Sequence, residues 1–189
     1  VNSEFEFDSG FVDVTDNPYR LAELGCGFNT ETTISPVFAA MLSCTIVNSG
    51  NSLLPSIVEH VTDSKGKLLY QGKKTTYKIA IKPKTAKTVM KMMETTISRG
   101  TAKKAFRGFS KEATLSNLII GGKTGSLYNK DHTVKYDWFT GFGKEKKGNK
   151  KIALSVVVGH RKYIGTRASE YGKMILKQYF KKPYKTAQL

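Results

Sequence analysis

Gly121-Gly122-Lys123-Thr124-Gly125-Ser126 gathers a cation, two hydroxyls and an approachable main chain into one short stretch, the ingredients for holding an anion. Lysine brings a compact point charge, Thr124 and Ser126 bring oriented hydroxyls, and the glycines let a ligand come close to the backbone. A carboxylate suits this set, and an unpaired strand N–H beside it would stabilise an oxyanion. The same glycines do not make a nucleotide-phosphate loop, because the pattern G-x-x-x-x-G-K-[ST] needs glycine where Asn117 stands. A lone Lys-Thr-Gly triplet also reads as the entrance to a turn, so its surroundings decide.

Other reactive residue types are sparse. His60, His132 and His160 lack the paired spacing of a metal site or a triad, and surface or strand-filling roles suit them. Cys26 and Cys44 are too few for a disulfide scaffold and read as isolated small hydrophobes, a pair only if the protein is exported. No metal and no cofactor is expected. Asp137 orients a strand neighbour or is simply solvated. Of Trp138 and Phe139, adjacent on a strand and so facing opposite ways, at most one lines a cleft and the other belongs to the core.

The formal charge is +16, with 31 Lys and Arg against 15 Asp and Glu, which draws polyanions whatever the fold. The cations are scattered through Lys73-Lys74, Lys82 to Lys91, Lys103 to Lys111, Lys144 to Lys151 and Lys173 to Lys185 without a nucleic-acid module, so a solvated basic surface is expected rather than nucleic-acid recognition. An anionic cell envelope would suit that charge equally well. No apolar run reaches 18 residues, and Val1 to Phe5 has neither a basic nor an apolar leader region, so no anchor or export signal is expected within these residues.

The elements that must position the Lys-Thr-Gly stretch follow from patterning. The first thirty residues show no sustained period and read as irregular. Ser35-Pro36 offers an N-cap followed by proline at the first helical position, and Val37, Ala40, Met41, Cys44 and Val47 predict a helix ending near Asn48-Ser49-Gly50. Ser56 to Val61 and Lys67 to Tyr70, around Asp63-Ser64-Lys65-Gly66, predict a hairpin. Residues 84–98 place Ala86, Val89, Met90, Met93 and Ile97 on one helical face, with Arg99-Gly100 as the stop. Strands are expected over 118–124, 137–143 and 152–160, with an exposed hairpin loop over Lys144 to Lys151 and a closing helix over 168–180. The fold class is α+β, an antiparallel sheet packed against helices, with no boundary marked inside residues 1–189.

With the elements in place, the sequence resembles the penicillin-binding proteins. Gly122-Lys123-Thr124-Gly125-Ser126 followed by Asp137-Trp138-Phe139-Thr140-Gly141-Phe142 resembles their third motif and adjoining strand. Gly27-Phe28-Asn29, Ile34-Ser35-Pro36-Val37, Ile46-Val47-Asn48-Ser49-Gly50 and Gly100-Thr101-Ala102 resemble other family segments in the expected order over about residues 20–180. The resemblance implies the C-terminal part of one β-lactamase-like transpeptidase domain. Lys123 would hold the carboxylate of a D-Ala-D-Ala stem peptide or a β-lactam, with the Thr124 and Ser126 hydroxyls contacting it beside Gly125. The Ser126 N–H would form half the oxyanion hole. The nucleophilic serine and base lysine of an S-x-x-K helix, and the S-x-N motif, are expected upstream of residue 1. Catalytic residues are therefore expected to be absent from residues 1–189.

Two strings imitate those motifs. Ser64-Lys65-Gly66-Lys67 fits S-x-x-K but falls in the hairpin turn, and Ser49-Gly50-Asn51 fits S-x-N but falls in the connector after a helix, so neither is assigned. The implied parent is a D,D-transpeptidase at the periplasmic face of a bacterial inner membrane. The contrasting reading is a non-catalytic peptide or protein interaction module, and a weaker one is a polyanion-binding domain. Partners are then stem peptide or β-lactam, and either the N-terminal half of the domain or self-association through an open sheet edge.

Overall fold

The computed structural model describes residues 7–29, 31–73 and 75–181. Phe5, Lys74, Lys182 and Lys185, which entered the sequence reading, lie outside the described residues. The chain forms two compact units, residues 1–87 and 88–189, and the division falls within a helix where no change of composition marks it.

In the first unit, α1 (Pro18–Cys26) replaces part of the stretch expected to be irregular. Its signals are local rather than periodic. Asn17 accepts from the N–H groups of Tyr19 and Arg20, Pro18 opens the first turn, and Gly27 ends it at φ 69°. None of its residues is buried, which is why no apolar stripe betrayed it.

α2 (Pro36–Val47) starts at Ser35, whose side chain accepts from the N–H of Phe38. The buried face runs through Ala39, Ser43 and Val47, with Thr45, whereas the pattern had pointed to Val37, Ala40, Met41 and Cys44. A helix apolar almost all round has no face that periodicity can choose. After α2 comes a short antiparallel pair, β1 (Asn51–Leu53) with β4 (Thr76–Ile79), that the sequence did not announce. The expected hairpin is β2 (His60–Thr62) against β3 (Leu68–Gln71). No disulfide joins Cys26 and Cys44, and the Cys44 sulfur accepts from the Asn48 amide at 3.1 Å.

α3 (Pro83–Ser98) joins the units and buries Ala86 and Ile97 of its expected face. The second unit is a three-stranded antiparallel meander of β5 (Leu118–Tyr128), β6 (Lys135–Glu145) and β7 (Lys151–His160), closed by α4 (Ala168–Phe180). All three strands occur where expected and run past the expected ends. Ladder pairing continues there after the apolar pattern stops, through Tyr128↔Lys135 and Leu118↔Glu145.

Pleat alternation and register put Leu118, Ile120, Phe139, Leu154, Val156 and Val158 on one face, where they join Ala168 and Leu176 of α4 and Phe106 and Leu115 of the preceding segment in one core. The Phe106 and Phe139 rings lie 5.7 Å apart. Two lysines one helical turn apart on α4 pin the segment that carries Phe106. Lys173 donates to the carbonyls of Ala105 and Arg107, and Lys177 pairs with Glu112 at 3.4 Å. The basic loop after β6 is exposed, as expected, and two of its lysines are tethered: the Lys146 Nζ donates to the Ser116 carbonyl and the Lys150 Nζ to the Tyr179 carbonyl.

Glu112 makes this packing sensitive to acid. The Leu115 N–H donates to its carboxylate at 2.8 Å; this outweighs partial burial and, with Lys177 and the Thr114 N–H, holds the carboxyl below its usual value of 4.5. A group whose pKa is depressed by folding contributes stability above its unfolded pKa and loses it as pH falls through the folded value. Glu112→Gln keeps an acceptor for Leu115 but cannot ionise. Its urea midpoint is expected to lie below wild type at neutral pH, with the gap closing as pH falls below 4.5. A gap that stays constant with pH would show that the charge contributes nothing.

Candidate functional site

β5 changes character at Lys123. Residues 118–122 are buried or half-buried, and from Lys123 to Tyr128 the strand is largely exposed along the end of the sheet. Gly122, the last buried residue, leaves room for the ring of Phe139, into which a β-carbon would project. The Lys-Thr-Gly stretch therefore sits where a packed strand emerges from the core.

Alternation divides its side chains. Thr124 and Ser126 share the face that α4 covers, while Lys123 and Gly125 share the other with Trp138. Lys123 is exposed, and its ammonium donates to the Thr124 carbonyl at 2.7 Å, which leaves two of its three protons for a ligand. The hydroxyls of Thr124 and Thr101 lie 2.5 Å apart, either one donating. Thr101 belongs to the Gly100-Thr101-Ala102 segment after α3, so that segment braces the motif directly. Nothing in the sequence alone had paired Thr101 with Thr124.

The Ser126 hydroxyl donates to Oδ1 of Asp137 at 3.2 Å across the β5–β6 ladder. Asp137 is 5% exposed, far from the solvated carboxylate that was one of its expected roles. The same Oδ1 receives the Arg167 guanidinium at 3.3 Å, and Oδ2 receives the N–H of Ala168 at 2.8 Å. The second carboxylate at this helix start is Glu170, whose Oε2 accepts from the Arg167 N–H at 2.8 Å. Both anions lie at the positive end of the α4 dipole and satisfy N–H groups that the helix itself leaves unpaired. The signal for this arrangement was available only in part: Arg167 to Glu170 has capping-box spacing, but the carboxylate from β6 is a long-range partner.

Phe139 is fully buried between Gly122, Phe106 and Gly172, and Trp138 is half-buried on the opposite face, the division that alternation required. Among the described residues no group of His, Cys, Asp or Glu could hold a metal. His160 fills the buried end of β7, with Nδ1 accepting from the Gly165 N–H at 3.4 Å, and His60 and His132 are exposed. Ser64 lies in the β2–β3 turn, where Asp63 accepts from the N–H groups of Lys65 and Lys67. Ser49 follows α2 at φ 58°. Among the described residues no helix is long and apolar enough to cross a membrane.

Residues 7–182 match the family model for the penicillin-binding protein transpeptidase domain, and the chain belongs to that family. Penicillin-binding protein 1B of Haemophilus influenzae is 28% identical over 109 residues, 58% of this chain and 12% of that protein. Penicillin-binding protein A from M. tuberculosis, solved as an imipenem acyl-enzyme complex, superposes with a TM-score of 0.74 at 18% identity, over 93% of this chain and 37% of that one. Penicillin-binding protein 2B from Streptococcus pneumoniae does so with a TM-score of 0.65 at 20% identity, over 95% and 30%. The β-lactamase-like α+β fold is thereby established. The chain spans about an eighth of the curated relative and about a third of these solved chains.

Proposed function

We propose that this chain is the C-terminal part of a D,D-transpeptidase domain and supplies the Lys-Thr-Gly side of a serine acyl-transfer site that cross-links peptidoglycan stem peptides and is acylated by β-lactams. The observation that carries the reading is the emergence of Lys123 to Ser126 from the core on an end strand, with the two hydroxyls hydrogen-bonded to Thr101 and Asp137. Lys123 is the carboxylate-binding cation. The Thr124 carbonyl takes the Lys123 ammonium, and the two-residue alternation of a strand turns the Ser126 N–H toward the same side, where it would serve as one oxyanion donor. The nucleophilic serine, its lysine base and the remaining oxyanion N–H then come from residues preceding Val1 in the same domain. Trp138 flanks the cleft and Phe139 supports it from within. The enzyme works at the outer face of a bacterial cytoplasmic membrane and needs no metal.

Fluorescent penicillin tests this. The protein containing these residues together with the preceding part of the domain is expected to carry a covalent label that survives denaturing electrophoresis, while residues 1–189 alone carry none. Label mapped to Ser64 on the shorter chain would overturn the assignment of the nucleophile. Absence of label from both would favour a non-catalytic interaction module on the same fold.

A further inference from the structure

Within the proposed acyl-transfer site, we infer that Asp137 is a positioning residue that directs the Ser126 hydroxyl proton away from the ligand and ties the exposed end of β5 to the start of α4. An ionised carboxylate only accepts, so in the Ser126–Asp137 bond the hydroxyl must be the donor. Ser126 therefore turns its proton to Asp137 and presents lone pairs to whatever occupies the open side. Thr124 differs, because its partner is another hydroxyl and the single shared proton can run either way.

The strand end thus offers three unlike contacts in succession: a cation at Lys123, a reversible hydroxyl at Thr124 and a fixed acceptor at Ser126. A ligand that sets a carboxylate between the Lys123 ammonium and the Thr124 hydroxyl, and an amide N–H opposite the Ser126 Oγ, satisfies all three. A second carboxylate oxygen aimed at the Ser126 Oγ would meet lone pairs.

Asp137 can hold that orientation because it is committed elsewhere. Oδ2 is occupied by the Ala168 N–H at 2.8 Å, and Arg167, itself half-exposed, balances the charge at Oδ1. A buried carboxylate with neither partner would be strongly disfavoured. With both, it cannot swing away without uncapping α4. The same anion that starts the helix therefore fixes a hydroxyl one strand away.

The test is a double-mutant cycle on Ser126→Ala and Asp137→Asn in the protein that carries the whole domain, read as the second-order rate of fluorescent-penicillin acylation. Asparagine offers one acceptor and one donor, so the constraint on Ser126 is lost. Each single variant is expected to acylate about tenfold more slowly, and the double variant no more slowly than the worse single, because Asp137 acts through Ser126. Losses that multiply, in step with a falling urea midpoint, would overturn the inference and leave Asp137 a purely structural cap. If the wild-type protein takes no label, the proposed function fails while the link remains decidable in residues 1–189. Asp137→Asn must then speed amide hydrogen exchange at both Ser126 to Tyr128 and Ala168, and unchanged exchange at either end overturns the link.

Discussion

Replacing Lys123 with alanine is expected to slow penicillin acylation of the full transpeptidase domain by about 10²- to 10³-fold, the range for loss of one preorganised electrostatic contact. The urea midpoint should hardly move. Lys123 is exposed and its ammonium donates to its neighbour's carbonyl, so the change belongs with surface substitutions worth less than about 0.5 kcal/mol. Lys123→Arg separates charge from shape: the guanidinium keeps the cation but projects a planar fork where the strand holds a compact ammonium, and partial recovery is expected. Full activity in Lys123→Ala, measured by labelling rate, would remove Lys123 from the carboxylate site.

The second large effect lies in the core under the site and inverts a familiar rule. Gly172 is inside α4, where glycine to alanine ordinarily stabilises by about 1 kcal/mol. Here a β-carbon would overlap the Cδ1 and Cε1 atoms of Phe139, a ring already held by Gly122 on its other side and by Phe106. Overpacking of this kind costs about 1–3 kcal/mol, which exceeds the gain in helix propensity. Gly172→Ala is therefore expected to lower the urea midpoint of the chain, and Gly172→Val to lower it further. Pairing Gly172→Ala with Phe139→Leu should recover part of the loss by vacating ring volume. A stabilised Gly172→Ala would mean that α4 shifts freely over the sheet, contrary to the packing described.

What could be read in advance was whatever depends on neighbours in sequence. Ser35-Pro36, the Ala86 to Ile97 stripe and the three apolar strand runs each state their structure within a dozen residues. The Lys-Thr-Gly stretch was legible as chemistry for the same reason. β1 pairing with β4 was not legible, because its three residues gain meaning only from partners some 25 positions away. Nor was the face of α2, apolar almost all round. The arrangement around Asp137 joins residues 126, 137, 167 and 168, and the distance between them in sequence hid it while its individual types were in plain view. α1 is a different case, since Asn17, Pro18 and Gly27 did signal it but lacked an apolar stripe to confirm them.

The change in β5 from buried to exposed at Lys123 has a mechanical side. Beyond Lys123 the paired β5–β6 ribbon, laddered through Tyr128↔Lys135, is a beam gripped at one end, which deflects least at the grip and progressively more toward its hairpin tip. Lys123 stands at the root, and Ser126 lies roughly 10 Å further out at the strand rise. In the proposed site, ligand contacts at the root would find a group already at rest and would carry the smaller ordering cost. Contacts at the tip must also quieten the ribbon, and the Asp137 tether shortens the span that is left to swing. Warming should therefore weaken recognition from the Ser126 end inward, and the lysine should be the last of the three contacts to loosen.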